Sequence, residues 1–190
     1  KDLKKDDYFS RQDIEKKFND EIESNKKIIS LFNKNAKNLK IALCTSSSKL
    51  VVKRLVKAKA DIYWWNAFLD DPQKKDSLTR KIYKLNKLPI VNTGGNVGSA
   101  AWMMAESVFN CKNIALLGMD FGYYIETPIR ATQYYDVLLK ICKDKSKIKN
   151  FYSKIYNKKL KKTFYSDYVY MWYKKCLVEM INNSKSNTYN

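Results

Sequence analysis

Between an apolar run and a run of small residues, the chain reads Asn92-Thr93-Gly94-Gly95-Asn96-Val97-Gly98-Ser99-Ala100-Ala101. Glycine tolerates positive φ and a close backbone approach, and the first N–H groups of a helix lack partners within it. A strand-to-helix bend of this composition therefore suits a phosphate or carboxylate, drawn also by the positive end of the helix dipole. Thr93, Gly94, Gly95, Asn96, Gly98 and Ser99 are the expected phosphate-binding residues, with Thr93 and Ser99 adding hydroxyl donors. The spacing is neither GxGxxG nor GxxxxGK[ST], so the pattern leaves the ligand open. The plainer alternative is a tight turn in which Gly98 and Ala100 permit close packing.

A second candidate is Asp120, in Leu117-Gly118-Met119-Asp120-Phe121-Gly122-Tyr123, just beyond an apolar run. In open α/β sheets ligands bind at the carboxyl edge, where an aspartate can ligate a divalent metal, hydrogen-bond a ribose or act as a base. It can equally cap a turn or helix. At the same expected edge lie Asp61-Ile62-Tyr63-Trp64-Trp65-Asn66 with Asp70 and Asp71, and Ser46 and Ser47 after Cys44. Alternate strand residues face opposite sides, so one of Trp64 and Trp65 is core and the other is free to stack on a base or sugar. The serines can donate to an anion or cap the next helix.

There is no histidine, so Ser-His-Asp, Cys-His and HExxH chemistry is excluded, and proton transfer falls to carboxylates, tyrosines or lysines. Cys44, Cys111, Cys142 and Cys176 form no CxxC, which argues against structural zinc and for a reduced, cytoplasmic setting.

The elements that must carry these residues alternate. Ile14, Phe18, Ile22, Ile29 and Phe32 recur at helical spacing. Strands are expected at Leu39–Cys44, Asp61–Trp65, Leu88–Asn92 and Asn113–Gly118, separated by helices opened by the Thr45–Ser48 run, by Ser77 and by the glycine turn. Parallel pairing needs such crossovers. The expected fold is thus α/β, a Rossmann-like three-layer sandwich with a mostly parallel sheet and helical terminal segments. Residues 1–38 form a helical lead, 39–142 the nucleotide-binding core, and 143–190 a helical segment packed on it and ending in a frayed tail.

The length of 190 residues suits one domain, and 45% hydrophobic residues suffice for a core. With 37 Lys+Arg against 19 Asp+Glu the formal charge is +18, which attracts anions but also follows from a lysine- and asparagine-rich composition. Residues 143–163 hold nine lysines, one aspartate and no arginine. That stretch reads as a solvated amphipathic helix, and specific nucleic-acid recognition is not expected. No run reaches the roughly 20 apolar residues that span a bilayer, and no signal-peptide h-region is expected at the charged stretch Lys1-Asp2-Leu3-Lys4-Lys5. A start without methionine is what a fragment of a longer protein shows.

At GGNVGSAAWMMAE and NIALLGMDFGY the chain resembles the family that groups motility-associated factor (Maf) glycosyltransferases with 6-hydroxymethylpterin diphosphokinase-like proteins, over roughly Lys40 to Tyr135. The resemblance implies a nucleotide-dependent transferase that uses a nucleotide-activated nonulosonic (sialic-like) sugar and an acidic or glycan acceptor. Gly94, Gly95, Asn96, Gly98 and Ser99 would meet the nucleotide phosphate, Asp120 would be catalytic, and Ser46, Ser47, Trp65, Asn66, Tyr123 and Tyr124 would line the pocket. In the diphosphokinase branch, diphosphate moves from ATP with Mg²⁺, and Asp120 with Asp70 or Asp71 would hold the metal. Sialyltransferase-like enzymes often use a histidine, which this chain lacks. A non-catalytic nucleotide-binding module of the same fold is the remaining alternative.

Overall fold

The computed structural model describes residues 26–190. The stripe positions Ile14, Phe18 and Ile22 lie outside the described residues. The protein is mixed α/β with small sheets, some of them parallel. Where length suggested one core, the chain forms two compact units, one within Lys1–Val91 and one over Asn92–Asn190.

The first unit begins with helix α1 (Lys26–Asn35) and a 3-10 turn, Ala36–Asn38. Strand β1 (Lys40–Cys44), helix α2 (Lys49–Lys57), strand β2 (Asp61–Ala67), helix α3 (Leu78–Asn86) and strand β3 (Ile90–Val91) follow, and the strands pair in parallel in the order β1-β2-β3. The register sets Lys40 against Asp61 and Asn66 against Ile90. Helices α2 and α3 each start where a hydroxyl can satisfy the first N–H groups: Ser48 Oγ accepts from Val51 N, and Ser77 Oγ from Arg80 N. Ala36, Leu43, Leu55 and Val91 are buried, together with the polar Asn66, Ser77 and Thr79.

The second unit opens with the glycine turn and helix α4 (Val97–Met103), which widens into a π-helical turn, Met104–Val108. Strand β4 (Asn113–Ala115) is shorter than expected and pairs in parallel with β8 (Asn187–Tyr189). The tail expected to fray is therefore held: Trp102 Nε1 donates to Thr188 Oγ1 at 3.0 Å, and Ser186 Oγ to the Cys111 carbonyl at 2.7 Å.

The stretch 143–163, read as a solvated helix, also departs from expectation. After helix α5 (Tyr135–Cys142) and a 3-10 segment, Lys145–Phe151, strands β6 (Tyr152–Asn157) and β7 (Lys162–Asp167) form a hairpin, and β5 (Tyr123–Tyr124) joins β7 antiparallel. Aromatic and β-branched residues among the lysines favour strand, and Asn157 Oδ1 accepts from Leu160 N to make the turn. Helix α6 (Tyr168–Asn182) packs Tyr173 with Tyr134, Leu138 and Ile148, and Leu177 with Trp102 and Ile114.

Candidate functional site

Gly94 and Gly95 take positive φ, +54° and +88°, as the bend requires. What decides their identity is packing. An added Cβ on Gly95 would lie 2.5 Å from the rings of Trp172 and Tyr173, and one on Gly94 would lie 3.1 Å from Met180 Sδ. The turn thus seats itself against α6, the closer-packing alternative raised by the sequence.

Most of its amides are bonded within the turn. Asn92 Oδ1 accepts from Gly94 N at 3.2 Å, Thr93 Oγ1 from Gly95 N at 3.3 Å, and the Thr93 carbonyl from Asn96 N at 3.2 Å. Asn96 caps α4, its Oδ1 accepting from Ser99 N at 2.9 Å while its Nδ2 donates to Ser99 Oγ. Ser99 is 0% exposed, so its hydroxyl meets no external ligand. The N–H groups of Val97 and Gly98 have no protein partner among the described residues, and Val97 is 85% exposed. The expected phosphate cradle narrows to these two amides.

Asp120 is exposed, and its carboxylate has no hydrogen-bond partner among the described residues. Its loop is bracketed by two left-handed residues, Gly118 at φ +71° and Phe121 at φ +51°. A phenylalanine there costs about 1 to 3 kcal/mol, and the surroundings hold it: Ser166 Oγ donates to the Phe121 carbonyl at 2.7 Å, and the Phe121 ring meets Tyr170 edge-on. The loop lays Met119 over the glycine turn, so closely that a Cβ on Gly98 would lie 2.2 Å from Met119 Sδ. The two sequence motifs, separate in the chain, are thus adjacent in the fold.

Of the two pocket tyrosines, Tyr124 is exposed, whereas Tyr123 is committed inward. Its hydroxyl donates to Asp167 Oδ2 at 3.0 Å, accepts from Gln133 N at 3.3 Å, and its ring stacks on Tyr170 at 5.1 Å. Burial, and then the Asp167 charge, raise the Tyr123 pKa far above the usual phenol value, so it stays protonated. Asp167 is fully buried and caps α6 through Tyr170 N. The pairing of Asp167 with Tyr123, 44 residues away, was not foreseeable from local pattern.

The candidates in the first unit serve its architecture. Asn66 is 1% exposed: its Nδ2 donates to Asn86 Oδ1 at 2.9 Å, and its Oδ1 accepts from Thr45 Oγ1 at 2.9 Å and from Asn86 Nδ2 at 3.1 Å. Trp65 is half-buried, with a buried indole N–H that has no acceptor among the described residues. Ser46 Oγ lies 3.1 Å from Cys44 Sγ, and Ser47 N donates to the Cys44 carbonyl, so both belong to the turn before α2.

Asp70 accepts from Ser77 Oγ at 2.7 Å, Leu78 N at 2.9 Å and Thr79 N at 3.1 Å. The Ser77 hydroxyl foremost, then the Leu78 N–H, hold its pKa well below the usual carboxylate range. Asp71 Oδ1 accepts from Gln73 N in a turn. Asp70 is thus engaged in closing the loop onto α3, whereas Asp71 is bonded, among the described residues, only within its own turn. Among the described residues no cluster of three His, Cys, Asp or Glu is arranged to hold a metal, and no helix is long and apolar enough to cross a membrane. No family model, no curated protein and no solved structure matches this chain.

Proposed function

We propose that the chain is the nucleotide-binding part of a transferase of the Maf type, with a nucleotide-activated nonulosonic sugar as donor. The observation that carries this is the contact of Met119 with Gly98, which brings the loop that bears the unpartnered Asp120 carboxylate against the turn that holds the unbonded amides of Val97 and Gly98. In this reading the two amides receive a phosphate oxygen of the donor. The acceptor hydroxyl attacks the anomeric carbon as the bond to the phosphate breaks, the nucleotide leaves with the bonding electron pair, and Asp120 takes the hydroxyl proton. Parallel β1-β2-β3 pairing through helical crossovers supports a reduced Rossmann-like fold, and four cysteines free of disulfides support a cytoplasmic setting.

Thermal shift tests the reading. Saturating CMP without metal is expected to raise the melting temperature of the wild type by about 4 °C or more and to do so less in Gly98→Ala, whose methyl displaces Met119 at the turn. Asp120→Asn is expected to keep CMP binding and lose sugar transfer. Absence of stabilisation by CMP overturns the reading; unchanged transfer in Asp120→Asn removes Asp120 from the chemistry.

A further inference from the structure

A groove of about 590 Å³ lies within the first unit, where Lys37, Lys53, Arg54, Lys57 and Lys59 converge with Asn33 at its wall. Leu50 and Ala58 also line it, and among the described residues the lining contains neither a carboxylate nor an aromatic ring. Lys53 and Lys57 stand one turn apart on α2, and like charges at that spacing repel. Lys37, Lys53, Lys57 and Lys59 have no carboxylate partner among the described residues. Cations near a helix C-terminus offset its dipole, and that accounts for Arg54, Lys57 and Lys59; it does not account for Lys37 and Lys53 lining the same hollow.

We propose that this groove is a second anion site, one that takes a soluble polyphosphate chain of the kind carried by nucleoside di- and triphosphates. The volume is that of a small-molecule site, not of an extended nucleic-acid track. A multiply charged ligand also matches the number of cations, since a single phosphate leaves most of their repulsion uncompensated. Among the described residues the lining offers no ring for base stacking, the feature that single-stranded nucleic-acid sites rely on. Concave walls concentrate the field of the lysines and favour capture of such an anion from solution. The site is independent of the glycine turn and of the transferase reading, because every residue lining it lies in the first unit.

Calorimetric titration with inorganic tripolyphosphate tests the proposal. The wild type is expected to bind it one to one, and Lys53→Glu/Lys57→Glu to bind about tenfold or more weakly. Lys53→Gln/Lys57→Gln is expected to weaken binding in the same direction by less, with all variants checked for unchanged melting. The control Lys158→Glu/Lys159→Glu carries the same change in net charge on exposed lysines elsewhere and is expected to bind as the wild type does. No binding, or equal loss in the control pair, overturns the proposal. Binding only to oligouridylate, or only to phosphatidylserine vesicles, with none to tripolyphosphate, overturns it as well.

Discussion

The buried Asp167 carboxylate accepts the Tyr123 hydroxyl at 3.0 Å, joining the loop after Asp120 to the start of α6. Removing that donor leaves one carboxylate oxygen buried without its partner. Tyr123→Phe is expected to lower stability by about 1 to 3 kcal/mol, measured by urea unfolding at neutral pH. The phenol's folded pKa is raised, so its contribution is present below the unfolded value of about 10 and is lost as pH rises beyond it. The difference between wild type and Tyr123→Phe is therefore expected to shrink above about pH 10.

Gly95 and Gly98 both crowd a neighbour, but the neighbours differ. Gly95→Ala forces a methyl into the rings of Trp172 and Tyr173 at a positive φ, and is expected to cost about 2 to 4 kcal/mol. Gly98→Ala meets the flexible end of Met119, which can swing away, so its cost is expected to stay near 1 kcal/mol. Thermal melts of the two variants side by side check the order, and equal losses would contradict it.

Asp70 gathers donors from Ser77, Leu78 and Thr79, and its folded pKa is lowered. Its contribution is present above the unfolded carboxylate pKa of about 3.9 and is lost as pH falls toward the lowered folded value. Asp70→Asn is expected to melt below the wild type at pH 7, with the gap narrowing as the pH falls below about 4. A gap that persists unchanged into acid would show that the charge on Asp70 is immaterial.

Thr188 on β8 accepts the indole N–H of Trp102, which is buried. Thr188→Val keeps the shape and removes the acceptor, with an expected loss of about 1 to 3 kcal/mol. Deleting residues 185–190 is expected to cost more, because it also strips β4 of its strand partner. Hydrogen exchange at Leu116 N, which donates to the Tyr189 carbonyl, is expected to accelerate in the deletion.

Much of the local order was legible in the residues because it is set within a turn or two. Ser48, Ser77 and Asn96 each cap the helix that follows, and the apolar runs around Leu43, Trp64 and Ile114 are strands. The β6–β7 hairpin was hidden because its lysines resemble a solvated helix, while the cue for strand lay in Ile155 opposite Phe164 and in Tyr152 meeting Tyr165 edge-on across it. Asn66 and Asp70 read as pocket and metal groups because residue type reveals a polar capacity without revealing which partner consumes it.

Sequence alone determined that helices open at the Thr45–Ser48 run, at Ser77 and at the glycine turn, and that the runs around Leu43, Trp64 and Ile114 extend. The tertiary structure alone decided that Gly95 faces the rings of α6, that Met119 covers Gly98, and that Tyr123 serves the buried Asp167 rather than an open pocket. Capping and periodicity act over a few bonds and are written in adjacent residues. The spending of a buried donor or the need for a missing Cβ depends on what distant chain arrives there, and that is known only once the chain has folded.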